Sequence, residues 1–208
     1  AKGTDMVVNL AAGLDARPYR MLLPSSLVWV EVDLPEILAY KEGVLKNEKP
    51  SWLLGCVRLD LADAAARRGL FEQLGRGGRP APVVTEGLLI YLSEDEVGTL
   101  GRDLAARAAF RDWVLDMVSP GLLRILQKNL GPQLSRASAV FKFGPEVGPG
   151  FFTSFGWPPA EVRSIVGTAR RVGRAPFLVR LLSFLPESND RQGSRPWGGV
   201  CLMTKQGA

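Results

Sequence analysis

Residues Met6–Met21 read MVVNLAAGLDARPYRM, and this stretch decides the fold. Met6–Leu10 is apolar apart from Asn9, the signature of a strand buried on both faces. Pro18 then suits the first turn of a helix, where a missing N–H costs nothing, and Asp15 can cap that helix. A strand that turns straight into a helix exposes backbone N–H groups to a ligand, and Gly13 lets the main chain approach one closely. Dinucleotide-binding turns usually read G-x-G-x-x-G, which NLAAGLD does not match. On this stretch alone, a glycine that merely makes the turn is the better reading.

The same alternation continues. Leu27–Val32, Trp52–Leu59, Pro82–Thr85 and Trp113–Val118 read as further strands. Pro18–Leu23, Pro35–Lys46, Ala62–Leu74 and Glu94–Ala109 read as the intervening helices. Ser93 with Glu96 forms a capping box, and Pro35 fits a first helical turn. Alternating elements of this kind predict an α/β fold with a parallel, doubly wound sheet. After residue 118 the pattern loosens. Leu122–Leu130 and Ala175–Leu185 read as helices, residues 160–165 and 198–205 as strands. Glycines and prolines between 131 and 150 argue against a continuous helix there.

Three acids fall at successive strand ends. Asp33 closes the second strand about 20 residues after Gly13, the spacing at which a carboxylate reaches a ribose diol. Asp60, followed by Leu61, closes the third and suits the amino edge and face of adenine, although a helix cap explains it as well. Glu86 closes the fourth beside an apolar stretch and there calls for a partner or ligand. Caps alone explain three such acids poorly.

Composition sets the outer limits. The chain has 208 residues, 46% hydrophobic and 23% charged, with a net charge of +5. One domain over 1–208 is expected, with a lid or cap at 122–158 and 175–190. There is no histidine, so the commonest metal ligand and general base are missing and metal-free chemistry is expected. No apolar run reaches the length of a membrane span. With no signal peptide ahead of the first strand, a cytoplasmic location is the default. Cys56 and Cys201 lie in apolar strands and are expected as free thiols. The chain opens on Ala1 and almost at once on a strand, so an upstream segment is expected.

The stretches VVNLAAGLDARPYRM, WVEVDLPEILAYKEGVL, RLDL and TEGLLIYLSEDEV, in this order and spacing, resemble the sequential motifs of the leucine carboxyl methyltransferase-like family, which includes the tetracenomycin-type polyketide O-methyltransferases. The resemblance implies a Rossmann-like class I methyltransferase with a seven-stranded, mostly parallel sheet. It implies S-adenosylmethionine as cofactor and a carboxylate or other oxygen as methyl acceptor. It places Gly13 in the cofactor turn, Asp33 on the ribose, Asp60 and Leu61 at the adenine, and Glu86 near the methionine part. Where the family reads L-G-A-G-L-D-T-R, this chain has Ala11 for the first glycine and Ala16 for the threonine. The family also carries a helical segment before this turn, with an arginine for the cofactor carboxylate.

The missing histidine is consistent with that activity. A carboxylate acceptor is already ionised near pH 7 and needs no base. Tyr91 is a candidate to position the acceptor, or else a core aromatic. The expected partner is a small, acidic acceptor. Two other function classes remain open: a nicotinamide-dependent oxidoreductase on the same sheet, and a basic nucleic-acid-binding module built on Arg163, Arg170, Arg171, Arg174 and Arg180. The missing glycines count against the first. The lack of an interleaved aromatic platform makes a solvated face the better account of the second. Arg124 and Lys128 are weaker candidates for steering an anion. The aromatics of 150–157 could wall an apolar pocket, though such residues are more often core; Phe141, Phe143 and Phe151 are the wall candidates of the expected lid.

Overall fold

The computed structural model describes residues 4–50, 52–136, 139–173 and 195–205. Strand β1 (Met6–Leu10) is flanked by β2 (Val28–Asp33) on one side and β4 (Val83–Thr85) on the other, both parallel to it. Val8, Leu10, Val32 and Val83 are fully buried, as apolar central strands of a parallel sheet require. Strand β3 (Leu53–Arg58) pairs in parallel with β2. With β5 (Asp112–Val118), β6 (Pro159–Ser164) and β7 (Gly198–Thr204), the sheet has seven strands in the order β3-β2-β1-β4-β5-β7-β6. The pair β6–β7 is antiparallel. The sheet class expected from sequence is therefore correct, and the chain reverses its winding between β1 and β4.

Helices α1 (Arg17–Arg20), α2 (Pro35–Val44), α3 (Ala64–Gly75), α4 (Glu94–Ala105), α5 (Pro120–Arg136) and α6 (Ile165–Arg171) connect the strands. Pro35 starts α2 as anticipated. The capping box ahead of α4 is formed: the Ser93 N–H donates to Glu96 Oε2 at 2.7 Å and the Glu96 N–H to Ser93 Oγ at 3.3 Å. Three helical expectations need correction. Helix α1 is a single turn with Ala16 at its N-cap position, and Asp15 instead accepts the Arg17 N–H. The cap of α3 is Asp63, which accepts from Ala65 and Ala66, so α3 begins at residue 64 rather than 62. Helix α5 runs through Gly131 and Pro132. Proline forfeits one backbone N–H bond inside a helix and bends it, but need not end it. The expected helix at 175–185, with Arg174 and Arg180, lies outside the described residues.

The chain packs as two compact units. One comprises the residues up to Leu88 with Arg102–Val114; the other comprises Leu89–Gly101 and the residues from Leu115 onward. In the first, Trp29 and Trp52 pack at 6.5 Å between ring centres, with Leu27 alongside. Phe71 meets Phe110 edge-on, and the buried Trp113 Nε1–H donates to Thr85 Oγ1 at 2.9 Å. In the second, Phe143, Phe151, Phe152 and Phe155 form a chain of ring contacts of 5.1–6.0 Å. Trp157 is fully buried there, its Nε1–H donating to the Gly101 carbonyl. Gly98 of α4 leaves room for this packing: a Cβ there would stand 2.8 Å from the Phe155 ring, which would have to shift. Of the four aromatics in 150–157, Phe152 and Trp157 are thus core, and Phe151 and Phe155 are half-buried. Cys56 is half-buried and Cys201 buried, and neither forms a disulfide. No described helix is long and apolar enough to cross a membrane.

Candidate functional site

The first unit gathers the four strand ends β3, β2, β1 and β4 in spatial order. Leu10 is level with Val32 on β2 and with Thr85 on β4, and Asp33 is level with Arg58 on β3. The next residues along each strand are therefore the ones that leave the sheet together: Ala11 after β1, Glu86 after β4, and Leu59 and Asp60 after β3. In open α/β sheets, ligands bind at this edge, where the winding reverses.

Asp33 is the centre of the arrangement. Its Oδ2 accepts the Gly13 N–H at 2.6 Å and its Oδ1 accepts the Leu34 N–H at 2.7 Å. Its main-chain carbonyl accepts from Leu59 at 2.9 Å, tying it to the start of the β3 loop. An ionised carboxylate offers about four acceptor positions. Two remain beyond these bonds. Gly13 takes φ 52°, and a Cβ built there would meet nothing within 4 Å, so open space lies over the turn. Ala11 also takes φ 52°. Its Cβ is held in the left-handed region, where a glycine would be unstrained.

Asp60 is exposed, and its Oδ1 accepts the Ala62 N–H at 2.8 Å, fixing an Asx turn rather than the helix cap. Leu61 is half-buried, and its carbonyl accepts from Arg67 Nη1 at 2.7 Å. Arg67 is itself buried, with Nε and Nη2 both on Asp103 Oδ2. The loop after β3 is thus strutted from α3. Glu86 stands at the end of β4 in an ion pair with Arg17, Nη2 to Oε2 at 2.7 Å. Arg17 Nε lies 2.9 Å from both oxygens of Asp15, which also accepts from Asn9 Nδ2 at 3.0 Å.

Behind Asp33 on the same face of β2, Glu31 is buried in an ion pair with Lys41, whose Nζ is 2.7 Å from both carboxylate oxygens. Burial pushes the Glu31 carboxyl up from its ordinary range, against the pull of Lys41. Burial likewise raises the Tyr19 hydroxyl and the Cys56 thiol, with Glu31 adding to both.

Gly13, Asp33, Asp60, Leu61 and Glu86 therefore occupy adjacent strand ends of one unit. Tyr91 belongs to the other unit, on a 3-10 turn (Leu89–Tyr91), half-exposed with its ring 5.2 Å from Phe141. Lys142 and Phe143 donate their N–H groups to the Ile90 carbonyl, laying that segment on the turn. Arg163, one of the basic candidates, is paired with Glu161. No cluster of metal-ligating side chains occurs among the described residues. Sequence reasoning missed Arg17 and Arg67. Arg17 closes the quoted motif and lies two residues from its partner Asp15, a local signal, whereas its second partner Glu86 is 69 residues away; Arg67 looks like one more charge on a helix face, and no local pattern marks it.

Known proteins resemble this chain in sequence and in fold. A protein of Streptomyces coelicolor is 31% identical over 198 residues, covering 93% of this chain and 66% of its own length. One of Mycolicibacterium gilvum is 35% identical over 217 residues, covering 97% of this chain and 66% of its own. Both are named, by inference, S-adenosyl-L-methionine-dependent methyltransferases. A further relative, from Mycobacteroides abscessus, matches 52% of this chain and 35% of its own length at 35% identity. The chain thus spans between about a third and two thirds of these relatives. Among solved structures, a DUF574 family protein from Streptomyces avermitilis superimposes with a TM-score of 0.65 at 13% identity, covering 98% of this chain and 76% of its own. The magnesium protoporphyrin IX methyltransferase of Synechocystis, solved with SAH bound, gives 0.54 at 14% identity, covering 98% and 75%. At such identities the likeness is one of fold. Residues 1–105 match the leucine carboxyl methyltransferase family, and the chain belongs to that family.

Proposed function

We propose that this protein binds S-adenosylmethionine at the ends of β1–β4 and transfers its methyl group to an oxygen of a small acidic acceptor, a carboxylate foremost, with polyketide-like acids among the candidates. The observation that carries this reading is the Gly13–Asp33 bond. It fixes a carboxylate at the winding reversal with two acceptor positions left, beside a turn with open space above it. Those two acceptor positions suit a vicinal diol, which brings two O–H donors, and so the ribose of the cofactor. Asp60 keeps one oxygen for the adenine amino group, Leu61 offers an apolar side chain to the ring, and Glu86 faces the methionine part. When bound, the cofactor supplies an electrophilic methyl group on a sulfonium sulfur.

The rest is positioning. An ionised carboxylate attacks without a base, so the chain needs only to align it and strip its water, effects of proximity and desolvation. Tyr91 and Phe141 pair into an aromatic surface suited to the acceptor's body. The segment 122–158 is assigned as the lid; the second lid segment expected from sequence, 175–190, lies outside the described residues. Phe143, two residues from Phe141, is almost fully buried against Phe151 and Phe152. A Phe141→Ala, Phe143→Ala double variant should change acceptor use at constant cofactor affinity, and unchanged acceptor use would remove the assignment.

The deciding experiment is calorimetric titration of the protein and of Asp33→Ala with S-adenosylhomocysteine. Hydrogen bonds to a charged group are worth about 1.5–3 kcal/mol, so the variant should bind about ten- to a hundredfold more weakly. Equal affinities would show that Asp33 does not hold the ribose.

A further inference from the structure

Strand β6 is the outermost strand of its side of the sheet and pairs with β7. It runs into α6 without a loop: Ser164 ends the strand, and its Oγ accepts the Gly167 N–H at 3.1 Å to cap the helix. The join frames a cavity of about 550 Å³ that opens to solvent. Glu161, Arg163 and Ser164 line it from the strand, and Gly167, Arg170 and Arg171 from the helix. The three helix positions follow the i, i+3, i+4 spacing that puts residues on one helical face, and the glycine adds no side chain to fill the space. Arg163 is oriented by Glu161, whose Oε1 accepts its Nε–H, so its Nη edge is left for another partner. Arg171 is steadied through Nη2, which donates to Thr168 Oγ1 at 3.3 Å. Charged residues commonly guard an edge strand, which accounts for Glu161 and Arg163 but not for two more arginines lining the same cavity from the next element.

The lining carries three guanidinium groups and one carboxylate, an excess of two positive charges. A guanidinium presents a planar fork that matches two oxygens of one phosphate. A phosphate monoester near pH 7 carries about −1.5 to −2 charges on three strong acceptor oxygens, so it matches the cavity in both charge and donor geometry. The volume lies within the range of about 300–1,000 Å³ typical of small-molecule sites, which leaves room for the organic body of the ester beside its phosphate. We infer that the β6–α6 cavity binds a small phosphate monoester, with Arg163 and Arg171 on the phosphate oxygens and the Ser164 hydroxyl donating a further hydrogen bond. That hydroxyl can donate because the cap uses its oxygen and not its hydrogen. The Gly167 N–H is already taken by Ser164, so side chains carry the recognition. A nucleic-acid strand is the poorer fit, because no aromatic side chain lines the cavity to stack a base. The inference is independent of the donor-site reading, which concerns the Gly13–Asp33 edge of the other unit.

The test titrates glycerol 2-phosphate calorimetrically into the full chain at about pH 7.5, where the monoester carries about two charges, with the singly charged dimethyl phosphate as control ligand. Glycerol 2-phosphate should bind with a Kd of about 1 mM or tighter, and about tenfold or more tightly than dimethyl phosphate. Arg163→Gln and Arg171→Gln should each weaken it about tenfold, the worth of a charge-assisted hydrogen bond. Arg76→Gln removes the same charge from an exposed pair with Glu72 in the other unit, and should leave the affinity within about twofold of the wild type. Wild type that shows no binding up to about 10 mM, or that binds the two ligands equally, overturns the inference whether or not any variant folds. Folded Arg163→Gln and Arg171→Gln proteins with wild-type affinity overturn it too, since the ligand would then sit elsewhere. An Arg76→Gln loss as large as theirs does the same, because binding would follow overall charge and not this cavity. A uridine oligonucleotide that binds more tightly than glycerol 2-phosphate, and loses affinity in the two cavity variants, would make the cavity part of a nucleic-acid surface and likewise overturn the assignment.

Discussion

Ala11 follows β1 with φ 52°, the single non-glycine residue in the left-handed region among the described residues. An L-residue with a Cβ is disfavoured there by about 1–2 kcal/mol. Replacing it with glycine removes that strain but frees the unfolded chain by about 0.4–1 kcal/mol. The midpoints leave Ala11→Gly more stable by about 0.8 kcal/mol, a rise in Tm of about 2–3 °C for a chain of this size. Urea denaturation measures this as a shifted midpoint at constant slope. Ala12 is the internal control. It is buried beside Ala11 with no positive φ, so Ala12→Gly should lose about 0.5–1 kcal/mol. If Ala11→Gly is instead destabilised like Ala12→Gly, the turn holds no strain and the reasoning fails. Gly13→Ala should show the converse at the neighbouring position, because its φ is the same and its Cβ would project into the open space.

Three other measurements bear on the site. Arg67→Met should cost about 3–5 kcal/mol, because it leaves Asp103 buried and unpaired; a second change, Asp103→Leu, should recover most of it, and no recovery would mean the Leu61 carbonyl matters more than the ion pair. Cys56 should alkylate more slowly at pH 8 than an unperturbed thiol, because burial and the nearby Glu31 and Glu42 raise its pKa, and Glu42→Gln should speed the reaction. The same shift sets a sign for stability: the folded thiol holds its proton more tightly than the unfolded one, so its contribution is full below the ordinary thiol range and is lost as pH rises through the raised value. A Cys56→Ala variant that keeps the same alkaline loss would show that another group is responsible.

How far the sequence could be read depended on how local each cause was. Strand β1, the proline at the start of α2 and the Ser93–Glu96 box are set by neighbours within a few residues, and all formed as expected. The three acids were legible because a parallel sheet brings successive strand ends to one edge whatever the helices between them do. Their partners were not legible. Gly13 reaches Asp33 across 20 residues, Arg67 reaches Asp103 across 36, and Arg17 reaches Glu86 across 69. Asp60 shows the limit of spacing rules: a cap was a fair reading, but the cap went to Asp63 and Asp60 was left to shape the turn before it. Pro132 failed as a helix stop because a rule about one residue was set against a helix of 17.

The arrangement of β1 has a consequence in time. Both of its neighbours, β2 and β4, follow it in the chain, and the last of the four strand ends is reached at Glu86. A ribosome adding about 5–20 residues per second takes about 6–24 s over the 122 residues from Gly87 to Ala208. β1–β4 pairing links Leu10 with Thr85, a closure slow by folding standards but fast on that scale. Synthesis therefore delivers every residue of the Asp33 edge well before the strands β6 and β7 exist, while Thr85 at the end of β4 still waits for β5, whose Trp113 Nε1–H it accepts.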